Sequence, residues 1–271
     1  MTEKQLPSIV HSCYFNVSRE GEQFVQDHIF SYQVSGSMTV NDGEKEYTFH
    51  EGDFRFSKRN RLARFVKIPP PNGEFKTIAI RFDQQTLREF SAVYHYKAVK
   101  KDHAAAVLNL PDATLYRNYI ESLNPYLLDG QLEDRDLIRL KLKEALIILL
   151  KVNPELKDVL FDFSEPGKID LEGFMEKNFH FKVGLDRFAY LTGRSLATFK
   201  RDFKKIFQQS PSRWLVQRRL QEAYYQIKEL GKRPSEVYIE LGFEDFSHFS
   251  YAFRQAYGVQ PSKLRDIPAG S

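Results

Sequence analysis

From Phe24 to Phe82 the apolar positions fall into short runs cut by turn residues, the pattern of closely spaced β-strands. Residues 29–34 end at Ser35-Gly36-Ser37, and 38–40 run into Asn41-Asp42-Gly43, which predicts a type I′ hairpin. Residues 44–49 alternate polar and apolar, Glu51-Gly52-Asp53 turns the chain, and 54–56 follow. Further strands are expected at 63–68 and 76–82, on either side of Pro69-Pro70-Pro71-Asn72-Gly73. Such a series predicts a small antiparallel β-barrel or sandwich.

Over residues 113–152 the period lengthens to that of helices. Leu115, Tyr119 and Leu123 share one expected face, which Pro125 interrupts. A second helix is expected from about Glu133, with Leu137, Leu140, Ile147 and Leu150 on its apolar side, and Asn153-Pro154 stops it. Residues 145–150 are apolar all round, so they serve either as core alone or also as a contact with a second subunit. Ser164-Glu165-Pro166-Gly167-Lys168 reads as an interdomain linker.

The last hundred residues repeat themselves at an offset of 50. Leu191 matches Leu241, Phe199 matches Phe249, Phe203 matches Phe253, and Pro211-Ser212 matches Pro261-Ser262. Each copy has a short amphipathic helix (185–191, then 236–241), a glycine turn at Gly193 or Gly242, and a second helix (195–207, then 245–257). A glycine lets the chain bend sharply between two helices, and Ser195 and Asp245 suit the N-caps of the second ones. Phe199 and Phe203 lie four apart and anchor one face, as do Phe249 and Phe253. That turns Ala197, Lys200 and Arg201, and Ser247, Ser250 and Tyr251, away from the core. Two such units in register, joined by a basic helix over 214–230, predict paired helix-turn-helix motifs.

Composition and charge sharpen this. A chain of 271 residues has room for two domains, and 42% apolar residues with 23 Phe exclude disorder. From Leu171 onward 17 Lys and Arg face 11 Asp and Glu; before it the balance is 23 against 25. A basic C-terminal part beside a near-neutral one is expected where only the former meets phosphate. The single Cys13 rules out an internal disulfide and reads as a half-buried thiol. Residues 1–5 lack the apolar core of a signal peptide, and the longest apolar run is far short of the roughly 20 residues of a membrane span. A cytoplasmic protein without membrane contact is expected.

The stretch 185–265 resembles the DNA-binding domain of the AraC family of bacterial regulators. The matching strings are Ser195-x3-Phe199-Lys200-Arg201-x-Phe203-Lys204, Ser210-Pro211-x2-Trp214-Leu215, Arg219-Leu220-x2-Ala223 and Gly242-Phe243-x-Asp245-x-Ser247-x-Phe249-x3-Phe253-Arg254-x3-Gly258-x2-Pro261-Ser262. The resemblance implies that both second helices enter successive major-groove segments. The first would present Ala197, Thr198, Lys200 and Arg201, the second Ser247, His248, Ser250 and Tyr251. Arg201 would make a bidentate contact to guanine, while Lys204, Arg254 and the Trp214 helix hold phosphates. Gln208 departs from the family's glycine, and Tyr251 stands where arginine is common.

The preceding part looks, more loosely, like the family's cupin-type sensor and dimerisation arm. The expected fold is therefore α+β: a cupin-like β-barrel over 1–110 as candidate sensor, a helical dimerisation segment over 111–163, and an all-α DNA-binding domain with two helix-turn-helix motifs over 168–271. No enzyme is expected. His28 and His50 lack the paired ligands of a metal-dependent cupin, and His11, His95, His103 and His180 show no metal spacing. No cofactor is expected. Phe30, Tyr32, Phe54 and Phe56 either line an effector pocket or fill the barrel core. The expected partners are double-stranded DNA and a second copy, with a small-molecule effector and RNA polymerase as candidates. The alternative is an arm that binds a partner protein or only dimerises.

Overall fold

The β-branched and aromatic runs pair as antiparallel strands: β1 (Ile9–Tyr14), β2 (Phe24–Val25), β3 (His28–Ser35), β4 (Ser37–Asn41), β5 (Glu46–Phe49), β6 (Phe54–Ser57), β7 (Arg61–Leu62), β8 (Arg64–Ile68) and β9 (Phe75–Phe82). Helix α1 (Gln84–Tyr94), strand β10 (Val107–Leu110), helices α2 (Thr114–Leu128) and α3 (Arg135–Val152), a 3-10 turn and the short α4 (Lys157–Leu160) complete the first part. The computed structural model describes residues 8–19, 23–99, 105–128 and 134–266, and the chain divides into the units Met1–Ser164 and Glu165–Ser271.

In the first unit the strands form a five-stranded sheet in the order β1-β9-β3-β6-β10, a three-stranded sheet β5-β4-β8 and a two-stranded ribbon β2-β7. Phe30, Phe54, Phe56, Ile78 and Ile80 point from the large sheet into a core shared with Tyr116, Tyr119, Ile120 and Leu123 of α2 and Leu142, Leu146 and Leu149 of α3. From the other face Phe75 and Val107 join Met38, Val40 and Phe49 of the small sheet. Strand β6 is consequently buried at all four positions, Arg55 included. The Arg55 guanidinium donates to Gln33 Oε1 and Thr77 Oγ1, each at 3.2 Å, and lies 5.5 Å from the Phe49 ring centre. Burial pulls its pKa down to about 10, which still leaves it charged near neutrality.

Several expectations are corrected here. Among the described residues the strands close no barrel, since β1 and β10 remain edges of the large sheet. Helices cover one face of that sheet and a second sheet the other, so the core is sealed without closure. The Asn41-Asp42-Gly43 hairpin is wider than a type I′ turn: Asn41 pairs with Glu46, leaving a four-residue loop. Only Gly43 in it has a positive φ, and Asp42 accepts from the amides of Glu44 and Lys45. Pro125 lies inside α2 rather than ending it. It removes one ladder bond close to the helix end, where the loss is small. The buried face of α2 is Tyr116, Tyr119, Ile120 and Leu123, and Leu115 is exposed. On α3, Leu140 and Ile147 are 64% and 45% exposed, whereas Leu146 and Leu150 are buried. Cys13 is exposed on the edge strand β1. Residues 1–5, His103 and the expected helix start at Glu133 lie outside the described residues.

The second unit is helical: α5 (Leu171–Asn178), α6 (Leu185–Leu191), α7 (Leu196–Phe207), α8 (Pro211–Lys228), α9 (Pro234–Glu240) and α10 (Phe246–Tyr257), closed by a 3-10 turn at Pro261–Asp266. Helix α5 opens on Asp170, which caps it through the amides of Glu172 and Gly173. Among the described residues no helix is long and apolar enough to cross a membrane, and no group of three or more His, Cys, Asp or Glu is placed to hold a metal ion.

Candidate nucleic-acid interface

Two pairs of helices, α6–α7 and α9–α10, are each joined by a turn whose glycine has a positive φ: 64° at Gly193 and 76° at Gly242. In the first, Phe199 and Phe203 are fully buried, and Phe203 meets Trp214 edge-on at 5.5 Å. In the second, Phe249 and Phe253 are buried equally, with Tyr238, Phe243 and Tyr257 against them. Each of these phenylalanines contributes about 1.5–3 kcal/mol by burial.

Ser195 Oγ accepts from the Thr198 amide at 3.3 Å, and the Asp245 carboxylate accepts from the His248 amide at 2.7 Å. These are the N-caps the sequence calls for. At the far ends Gln208 and Gly258 both take the left-handed conformation, φ 56° and 73°. Glycine adopts it freely; glutamine does not. Gln208 recovers one bond by donating from Nε2 to the Lys205 carbonyl at 2.8 Å.

The helix bonds revise the repeat. Thr192 bonds back to Phe188 as Leu241 does to Val237, so the turns correspond at an offset of 49 and the second helices at 50. Leu241 therefore takes the place of Thr192, not of Leu191, and the second turn is one residue longer.

The arginines nearest these turns are structural. Arg194 donates from Nη1 to the Ile169 and Thr192 carbonyls (3.0 and 2.7 Å) and from Nε to Asp202 at 3.2 Å. That hydrogen bond is the main reason the Asp202 carboxyl titrates below its usual range, with Lys168 and Arg201 adding to it. Arg219, on α8, donates to the carbonyls of Phe179, Phe181 and Gly242 at 2.8–2.9 Å. Arg218 is paired with Glu176 and lies over the Phe179 ring. Trp214 is buried, so on this helix Arg213 rather than Trp214 meets solvent.

Of the residues expected to face DNA, Ala197, Lys200, Arg201 and Lys204 on α7 and Ser247, His248, Tyr251 and Arg254 on α10 are exposed. Thr198 is half-buried, and its hydroxyl accepts from Ser195 Oγ at 3.0 Å. Ser250 departs from expectation: its Oγ is buried without a hydrogen-bond partner among the described residues. In the first unit Phe30, Tyr32, Phe54 and Phe56 are brought together, the three phenylalanines within the core and Tyr32 half-buried against it. The Phe30 and Phe54 rings lie 5.0 and 5.3 Å from Tyr116, and Tyr32 lies 4.7 Å from Phe54.

A β-rich first unit followed by a basic unit of turn-joined helices is the build of a DNA-binding regulator of transcription. Residues 188–267 match the family described as a helix-turn-helix domain, and 28–159 the ExsA N-terminal regulatory domain. The chain is 32% identical to the virulence regulon transcriptional activator VirF of Yersinia enterocolitica serotype O:8 over 249 residues, 86% of either chain. It is 22% identical to the regulator ExsA of Pseudomonas aeruginosa over 259 residues, 94% of this chain and 92% of that one. An apo ToxT variant from Vibrio cholerae aligns over 97% of this chain and 98% of its own at 12% identity, with a TM-score of 0.46. The chain belongs to the AraC family of DNA-binding transcriptional regulators.

Proposed function

We propose that α6–α7 and α9–α10 are two helix-turn-helix motifs, and that α7 and α10 read successive stretches of the major groove from within the cytoplasm. The observation that carries this is the matched pair: two aromatic-anchored helices, each capped at its start, present exposed polar side chains on a basic unit. Arg201 contacts guanine, and Lys200, Lys204 and Arg254 hold phosphates. Ala197, Thr198, Ser247, His248 and Tyr251 lie against base edges. A gel-shift titration of the full chain on DNA selected from a random pool tests this. Affinity should fall steeply as salt rises, because each neutralised phosphate releases counterions. Equal affinity for random competitor DNA at every salt concentration overturns the reading.

We also infer a homodimer through α3. The surface offered is the exposed stripe of Leu140 and Ile147, one heptad apart, rather than the buried Leu146 and Leu150. Replacing Leu140 and Ile147 with Glu should give a folded monomer with weakened operator binding, read by light scattering and circular dichroism. A wild-type protein that remains monomeric at high concentration overturns the dimer. The packing of Phe30 and Phe54 against Tyr116 of α2 favours an arm that dimerises or meets a partner protein over one that holds an aromatic-lined effector.

A further inference from the structure

We propose that Asp202 is a positioning residue for the DNA-reading guanidinium of Arg201, an inference that rests on the base contact proposed above. Asp202 lies on α7 among three cations. Its Oδ2 accepts from Arg194 Nε at 3.2 Å and lies 3.9 Å from Lys168 Nζ, while its Oδ1 is 3.6 Å from Arg201 Nε. The Arg194 side chain is only 7% exposed and is held by the Ile169 and Thr192 carbonyls as well, so one carboxylate oxygen is pinned. The other is turned to Arg201, whose side chain is 65% exposed.

This arrangement suits orientation of the Arg201 guanidinium for three physical reasons. First, an exposed arginine has rotamer entropy to lose on binding, and a carboxylate beside Nε narrows that freedom beforehand. Second, a carboxylate that faces Nε leaves the two terminal nitrogens free for the two-pronged contact that guanine accepts. Third, a carboxylate beside the DNA-facing side of α7 repels phosphate, so it weakens general affinity; orientation is a role compatible with that place. The second copy supplies a control. At the helix offset of 50, Arg201 and Asp202 become Tyr251 and Ala252, and at the turn offset of 49 Arg194 becomes Phe243, so the carboxylate is found where an arginine reads and is missing where a tyrosine stands.

A double-mutant cycle in the full chain tests this, with Arg201→Ala, Asp202→Asn and both, on the selected operator and on versions substituted one base pair at a time. Asp202→Asn should hold or raise affinity for random DNA while lowering discrimination at the Arg201 base pair about two- to fivefold, the range of an exposed ion pair. The loss of discrimination should vanish in the Arg201→Ala background. Asp202→Glu should restore part of it, and Asp202→Ser replaces Asp202→Asn in the cycle if the latter fails to fold by circular dichroism. A loss of discrimination that is the same with and without Arg201, or no loss at all, overturns the positioning role. An Arg201→Ala variant that weakens every sequence alike overturns the base contact itself, and the positioning role with it.

Discussion

The two helix pairs of the second unit share one mould and differ in what they carry. Both bury two phenylalanines four residues apart, both bend at a left-handed glycine, and both start the second helix on a side-chain cap. The first is tied by Arg194 to the Ile169 carbonyl just ahead of α5 and exposes Lys200, Arg201, Lys204 and Lys205. The second is tied by Arg219 to the segment after α5 and exposes mostly uncharged side chains, with Phe246 and Tyr251 among them. The interior of such a motif is set by packing and tolerates little change, whereas its outer face is free to diverge. On the proposed reading, one pair would supply electrostatic grip and the other would read with less charge.

The largest effects should test the shared interior. Phe203→Ala and Phe253→Ala should each cost about 3–5 kcal/mol in chemical denaturation, and similar amounts. Costs differing by more than about 2 kcal/mol would show that the two cores are not equivalent. The outer faces come next. Arg201→Ala should cost about 1–3 kcal/mol in DNA binding and relax preference at one base pair. Lys204→Ala should weaken all sequences and reduce the salt slope by about 1, whereas Tyr251→Ala should leave that slope unchanged. A lowered slope for Tyr251→Ala would break the division of labour. The smallest effect lies at the helix ends: Gln208→Gly should stabilise by about 0.5–1 kcal/mol and Gly258→Gln destabilise by as much, read as opposite shifts in thermal melting.

Much of the second unit was legible because its signals are local. Ser195, Asp245, Gly193 and the four-residue spacing of the phenylalanines act within a turn or two of helix. The turn offset was not legible: Leu241 looks like the partner of Leu191 until the bonds to Phe188 and Val237 separate them. Nor were the roles of Arg194 and Arg219, since their carbonyl acceptors come from distant segments. Ser250 falls on the outward side by its spacing, yet neighbouring groups bury its hydroxyl. In the first unit, short runs between turn residues located β3, β6 and β9, but they do not reveal that both faces of the sheet are covered. Nothing in that pattern marks Arg55, which lies inside. Helix α1 was announced by Asp83, which accepts from the Thr86 amide at 2.7 Å, and by Leu87 and Phe90 on one side, signals the strand pattern before it overshadowed.

The close approach of Gly167 to Gly193 bears on how the molecule can be taken apart. A methyl group on Gly193 would stand 2.3 Å from the Gly167 carbonyl carbon and 2.5 Å from the Lys168 nitrogen. The Tyr190 hydroxyl donates to the Glu165 carboxylate a few residues upstream. A DNA-binding fragment begun at Lys168 would lack the glycine that lies over this turn and the acceptor for Tyr190. Begun at Glu165, it would keep both. A protease that cleaves after Gly167 would remove the same cover, so the choice of cut decides whether the excised piece keeps the turn it has in the whole chain.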